Sequence, residues 1–268
     1  MTDTVLVDSI NYVDESARGK IVVSGSHGGT YAAYKAAASS ARAVILNDAG
    51  VGFQNAGVAC LEYCERIGMA AVVLAHSSAR IGDSEDMFER GIVSGVNKTA
   101  EEAGCREGMT CEEAVNALGV VAPSHAKPPA YEETRFVLSD ASPRIICIDS
   151  ASLVRSEDAG QIVVTGSHGG LIGGKREKAF NVDARITVFN DAGVGVDDAG
   201  IGRLGPLESR GIAAITVSHS TARIGDSRST YNDGVISYVN SIARELGAQP
   251  GGTLKSFISD VQSVLKNR

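Results

Sequence analysis

The 268-residue chain has no tryptophan, and seven tyrosines and six phenylalanines are its only aromatic residues. No basic run is interleaved with those aromatics, so a stacking platform for nucleic acid is excluded. The formal charge of −7 points the same way, against nonspecific binding to nucleic acid or anionic membranes. No apolar run approaches bilayer-spanning length. The opening residues MTDTVLVD lack a basic region followed by an apolar core, so no signal peptide is expected. The cysteines are few and odd in number: Cys60, Cys64, Cys105, Cys111 and Cys147. That count is unlike a disulfide framework, and a reducing, cytoplasmic setting is expected.

What the chain does have is a repeat. Residues 19–29 read GKIVVSGSHGG and residues 160–170 read GQIVVTGSHGG. The hexapeptide NDAGVG occupies 47–52 and returns unchanged at 190–195. HSSARIGD at 76–83 returns as HSTARIGD at 219–226. The lead-in repeats as well, Val7-Asp8-Ser9 matching Ile148-Asp149-Ser150, and the second copy carries two extra residues near Asn181. Four of the five histidines stand in these motifs.

Short β-branched runs bounded by glycine predict strands at 5–7, 21–23, 43–46 and 71–75, then at 145–148, 162–164, 186–189 and 213–217. Helical patterns are expected over 30–41, 55–67, 84–103 and 110–118, then over 227–245 and 254–265. In the third, Met87, Gly91, Ile92, Gly95, Val96 and Thr99 share one helical face. A helix after the second GSHGG would carry Lys175, Arg176 and Lys178 where the first carries Tyr31, Tyr34 and Lys35. Pro123, Pro128 and Pro129 make the connecting stretch irregular, with an extra strand at 136–138. The alternation implies parallel strands with right-handed crossovers. The expected fold is an internally duplicated α/β protein. Two similar half-domains, each a mainly parallel sheet flanked by helices, are related by a pseudo-two-fold. Residues 1–119 form the first repeat, 120–143 a linker and 144–268 the second repeat.

Every repeated motif begins where a strand ends, and the carboxyl ends of parallel strands share one edge, where ligands bind. Six groups are therefore candidates for catalysis: His27, Asp48, His76, His168, Asp191 and His219. The imidazoles would act as acids and bases, and the carboxylates would orient or activate them. Ser26, Gly28, Gly29, Ser77, Arg80, Ser167, Gly169, Gly170, Ser220 and Arg223 are candidates for substrate binding, through hydroxyls, loop amides and guanidinium forks. Each has a plainer alternative. The glycines would serve an unoccupied left-handed turn, Asp48 and Asp191 an Asx turn or cap, and the arginines an ion pair between the halves. Asp83 and Asp226 are read as helix N-caps, and Asn47 and Asn190 as turn residues.

His27, Asp48 and His76 would make a two-histidine, one-carboxylate metal set, with His168, Asp191 and His219 as its twin. No motif has close ligand spacing such as HExxH, so metal-free chemistry is preferred and no cofactor is expected. Cys60 and Cys64 would suit zinc together with Cys105 or Cys111. Small buried hydrophobes are the preferred reading, since the second copy has Arg203 and Leu207 at the first two positions. Tyr31 and Lys35 have the Tyr-x-x-x-Lys spacing of short-chain dehydrogenases, but they stand far too early and no G-x-G-x-x-G follows the first strand. Walker A and GxSxG motifs are absent.

These residues lead to the expectation of an enzyme acting on a small anionic or amide-containing metabolite, first a hydrolase. A lyase or isomerase with twin acid–base groups is the alternative, and a noncatalytic anion-binding protein the other. The expected partners are a small-molecule substrate and, in a homo-oligomer, further copies of the chain.

Overall fold

A computed structural model describes residues 3–124 and 126–266. The first sheet contains β1 (Thr4–Val7), β2 (Ile21–His27), β3 (Ala43–Asn47), β4 (Ala70–Leu74) and β5 (Val93–Val96). Its helices are α1 (Thr30–Ala38), α2 (Ala59–Arg66), α3 (Ser84–Arg90), α4 (Lys98–Glu102) and α5 (Cys111–Leu118). The second sheet contains β6 (Arg135–Ser139), β7 (Ile145–Ile148), β8 (Ile162–His168), β9 (Ile186–Asn190), β10 (Ala213–Val217) and β11 (Ile236–Val239). With it go α6 (Leu204–Ser209), α7 (Ser227–Asp233), α8 (Ser241–Glu245) and α9 (Leu254–Lys266).

The strand order is β1-β2-β3-β4-β5 in one sheet and β11-β10-β9-β8-β7-β6 in the other. β1 to β4 and β7 to β10 are parallel, while β5, β6 and β11 are antiparallel edges. Neither order reverses, so neither sheet has the switch-point crevice of a doubly wound fold.

The parallel strands are buried on both faces, which is why they read as unbroken apolar runs. Val22, Val44, Leu46, Ala71 and Val73 pack with Ala32, Ala33, Cys60 and Tyr63 on one side. Ile21, Val23, Ile45, Val72 and Leu74 pack with Met87, Cys111, Ala114 and Leu118 on the other. The second sheet is layered likewise. Ile162, Val164, Val188 and Ile215 face Leu254 and Ile258, and Val163 and Phe189 face Phe180, Leu204 and Leu207. No described helix is long and apolar enough to cross a membrane.

Three helical expectations are corrected. Residues 84–103 form α3, the edge strand β5 and α4 rather than one helix. Gly91 leaves α3 in an extended conformation, and a Cβ there would stand 2.6 Å from the Leu74 methyl and closer still to Met87 C=O. Asn97 then starts α4, its side chain accepting from Ala100 N–H and Ala71 N–H while donating to Met69 C=O. Residues 227–245 divide the same way, with Asn240 in the corresponding role. The second GSHGG is followed by 3-10 turns instead of an α-helix. Gly173 and Gly174 take φ of +60° and +65° there, and Gly173 N–H crosses to Gly82 C=O of the first half at 2.7 Å.

The halves lock together through their repeated motifs. Phe53 N–H donates to His219 C=O at 2.7 Å, and Val196 N–H donates to His76 C=O at 2.9 Å. Ala49, Ile81, Ala192 and Ile224 make a small apolar core between them. Gly50 and Gly193, at φ of +75° and +77°, meet backbone to backbone. A methyl group on Gly50 would lie 2.8 Å from His219 Cδ2, and one on Gly193 2.7 Å from His76 Cδ2.

Candidate active site

The motif side chains fall into two groups. The first lies where the halves touch. Asp48 at the end of β3 accepts from His76 Nδ1 at 2.8 Å and from Ser94 Oγ at 2.8 Å. Asp191 at the end of β9 accepts from His219 Nδ1 at 2.9 Å. Burial works to raise both carboxyls, but the hydrogen bonds from the imidazoles and neighbouring groups outweigh it and hold both below their ordinary value. The bond to Asp48 in turn raises His76, against the effect of burial. Both imidazoles keep 30 % side-chain exposure.

The second group opens on a cleft. A cavity of about 380 Å³ is lined by the ends of β1, β2, β7 and β8 and includes Ser26, His27, Ser167, His168 and Arg203. A second cavity of about 380 Å³ shares His27, Tyr31 and Glu133 with it and reaches Gly29, Tyr131 and Arg223. GSHGG is held at this edge by close packing: a Cβ on Gly25 would lie 2.6 Å from Asp8 C=O, and one on Gly166 2.7 Å from Asp149 C=O. Those two carbonyl-bearing residues also fix the HSSARIGD-type loops. Asp8 Oδ1 accepts from Ser84 N–H and Oγ, and Asp149 Oδ1 from Ser227 N–H and Oγ.

The His27 ring makes no hydrogen bond among the described residues, and burial pushes it down to about 4. His168 is 6 % exposed and lies well below its ordinary value, from burial first and then from the Arg203 charge and His27. Its Nδ1 accepts from Gly170 N–H at 3.1 Å. A neutral imidazole accepting at Nδ1 carries its proton on Nε2, so His168 offers an N–H donor at that nitrogen. Each ring borders a glycine of the opposite half. A Cβ on Gly225 would be 3.2 Å from His27 Nε2, and one on Gly82 3.5 Å from His168 Cε1.

Asp48, His76, Asp191 and His219 line neither cavity. The sets His27/Asp48/His76 and His168/Asp191/His219 are thus divided, and no group of three His, Cys, Asp or Glu side chains among the described residues is placed to hold a metal. The five cysteines are buried, free thiols. The glycine amides are already used: Gly28 donates to Asn47 C=O, Gly29 to His27 C=O, Gly169 to Asn190 C=O and Gly170 to His168. None of these glycines has positive φ. Gly28 is glycine because a Cβ would stand 2.5 Å from Gly57 C=O, with Cys60 Sγ and Val73 at 3.0 Å.

Arg80 pairs with Asp86 at 2.8 Å and with Asp197 of the other half at 3.2 Å, where Arg90 joins it at 2.7 Å. Arg223 bonds Asp226 and, across the halves, Gln54 at 3.2 Å. Gln54 and Asp197, both at positive φ, are therefore contact residues between the halves. Ser77 and Ser220 are exposed, and Ser220 Oγ meets Ser218 Oγ at 2.8 Å. Asp83 and Asp226 cap α3 and α7, accepting from Asp86 and Ser229 N–H.

Two cleft residues carry no sequence motif. Glu133 lines both cavities, and burial, then the charge of Asp149, push its carboxyl up to about 7. Arg203, at the start of α6, is 4 % exposed, and its guanidinium lies 5.1 Å from the Phe189 ring. The only available sequence signal for Arg203 is the change from cysteine in the first copy; a lone glutamate between prolines and β6 offers none. Comparison of the chain with protein-family models, curated proteins and solved structures finds no match to any of them.

Proposed function

We propose that the chain is an enzyme performing acid–base chemistry on a small anionic metabolite bound between its two sheets. One observation carries this reading. Three titratable groups displaced from their ordinary range, His27, His168 and Glu133, surround one cavity. Such displacements concentrate at active sites. A carboxyl titrating near neutrality suits a general base. The Nε2–H of neutral His168 suits a fixed donor to an oxygen on which negative charge develops. His27, on the first half's wall, is free to exchange a second proton.

Imidazoles contributed by both halves favour proton removal and return at carbon, the work of a lyase or isomerase. Hydrolysis is the second reading, favoured by the ring nitrogens of His27, which have no hydrogen-bond partner among the described residues and are free to hold water. The cleft is also where two diverged copies of one unit meet about a pseudo-two-fold. The identical NDAGVG motifs and the reciprocal contacts of His76 and His219 support that origin.

The test is isotopic. A panel of small carboxylates and phosphates is incubated with the protein in deuterated or ¹⁸O-labelled water. Deuterium at carbon identifies proton transfer, and ¹⁸O in a cleaved product identifies hydrolysis. Glu133→Gln and His168→Gln are expected to lower the observed rate by about 10²–10⁴-fold. Compounds that bind without acquiring either label would make the cleft a noncatalytic binding site.

A further inference from the structure

We infer that Arg203 is the receptor for a carboxylate group of the cleft's ligand, so that the ligand lies with its anionic end on the second half and its reacting end toward Glu133. The inference rests on the cleft being a ligand site and adds the charge and direction of what it holds.

Arg203 is nine-tenths buried and more, yet no carboxylate stands within ion-pair distance of it among the described residues. Nε donates to Gly170 C=O at 2.9 Å and Nη1 to Ala179 C=O, while Nη2 makes no hydrogen bond among the described residues. Two backbone carbonyls and the Phe189 face fix the fork without neutralising it. A guanidinium taken out of water without a counter-charge costs several kcal/mol, and proteins normally pair such groups. Here the side chain lines a cavity instead, one that the hydroxyl-bearing Ser150, Ser152 and Ser167 also line.

The cleft's own acids do not fill the role. Asp149 is occupied on both oxygens, Oδ1 by Ser227 and Oδ2 by Thr134 N–H and Oγ1. Glu133 holds its proton more tightly than a free carboxyl and forms no ion pair with Arg203 among the described residues. One guanidinium charge matches one carboxylate, and Nη2 is left to donate to its oxygens. A phosphate dianion would bring excess charge into a cleft that already holds Asp149. In the first half the matching position is Cys60, an uncharged and fully buried thiol, and the cavity's other cation, Lys178, also belongs to the second half, so the ligand's anionic end is directed there.

The experiment is thermal unfolding at constant ionic strength in sodium acetate, sodium malonate, inorganic phosphate or chloride. Wild type is expected to show a saturable rise in Tm with acetate or malonate, about 2–4 °C at ten times the half-saturating concentration. Arg203→Met, checked for fold by circular dichroism, should raise that concentration at least tenfold. Arg203→Lys should lie between. The double variant H27Q/H168Q should retain the anion response while losing turnover, so loss of catalysis and loss of this receptor are separately visible. If Arg203→Met fails to fold, crystals of wild type soaked in malonate decide, with a carboxylate within hydrogen-bond distance of Nη2 expected. No response in wild type to either carboxylate, an equal response in Arg203→Met, or a response to phosphate alone would overturn the inference.

Discussion

His27 makes the protein's stability depend on acid in a way that can be sized. Its ordinary value of 6.5 falls to about 4 in the folded chain because burial disfavours the imidazolium. Above pH 6.5 the ring is neutral in both folded and unfolded chains and contributes no pH dependence. As pH falls below 6.5 the unfolded chain takes up the proton and the folded chain does not, so stability drops by about 1.4 kcal/mol per pH unit until pH 4. Over that window the loss is roughly 3 kcal/mol, an upper bound because the ring borders a cavity. Urea unfolding of wild type and His27→Gln at pH 7.5, 6.5, 5.5 and 4.5 measures it. The two proteins should differ by a value that moves in favour of the variant by about 2–3 kcal/mol between pH 7.5 and 4.5. His168 shifts in the same direction, so His27→Gln/His168→Gln should flatten the acid limb further. A free-energy difference that stays constant across the series would refute the claim that His27 is held neutral.

Gly193→Ala places a methyl group 2.7 Å from His76 Cδ2 at φ +77°, combining left-handed strain with overpacking, and should cost about 2–5 kcal/mol. Denaturant unfolding checks this, and a loss under half a kcal/mol would mean the loops separate freely. Asp48→Asn removes the group that raises His76 while leaving its burial, so the titration of the His76 ring, followed by NMR, should move to lower pH. An unmoved titration would show that Asp48 does not hold the proton there.

The parallel strands were legible because a strand covered on both faces is a short β-branched run. The extra strand expected at 136–138 lies inside β6. The edge strands β5 and β11 were hidden, since Gly91, Ile92, Gly95 and Val96 fit a helical stripe as well as a strand. What settles them is tertiary: the Leu74 methyl against Gly91 and the Asn97 side chain bridging to Met69 and Ala71. Repetition pointed to His27 and His168, both of which face the cleft, and to Asp48, His76, Asp191 and His219, which do not line it. Motif counting treats all four histidines alike because it carries no information on what covers each ring. Arg203 and Glu133 were illegible for the opposite reason, being single residues whose meaning comes from the absence of a counter-charge and from the approach of a distant segment.

The two kinds of histidine show how one repeated vocabulary serves two physical ends. His76 and His219 each have a carboxylate on one side and a glycine of the other half against the ring, so their orientation is fixed by the junction itself. A ring tied to a carboxylate and packed on a foreign backbone is best placed to hold the halves in register. His27 and His168 have no carboxylate partner, and desolvation keeps both uncharged. Neutral rings bordering a cavity remain available to a ligand. The two halves of the sequence differ at positions that line the cleft or cross to the other half. Cys60 gives way to Arg203, and the α1 counterpart gives way to a glycine-bearing turn that crosses to Gly82. Weakening the junction at Gly193 should therefore impair the cleft chemistry as well as stability, whereas Arg203→Met should weaken anion binding while leaving the junction intact.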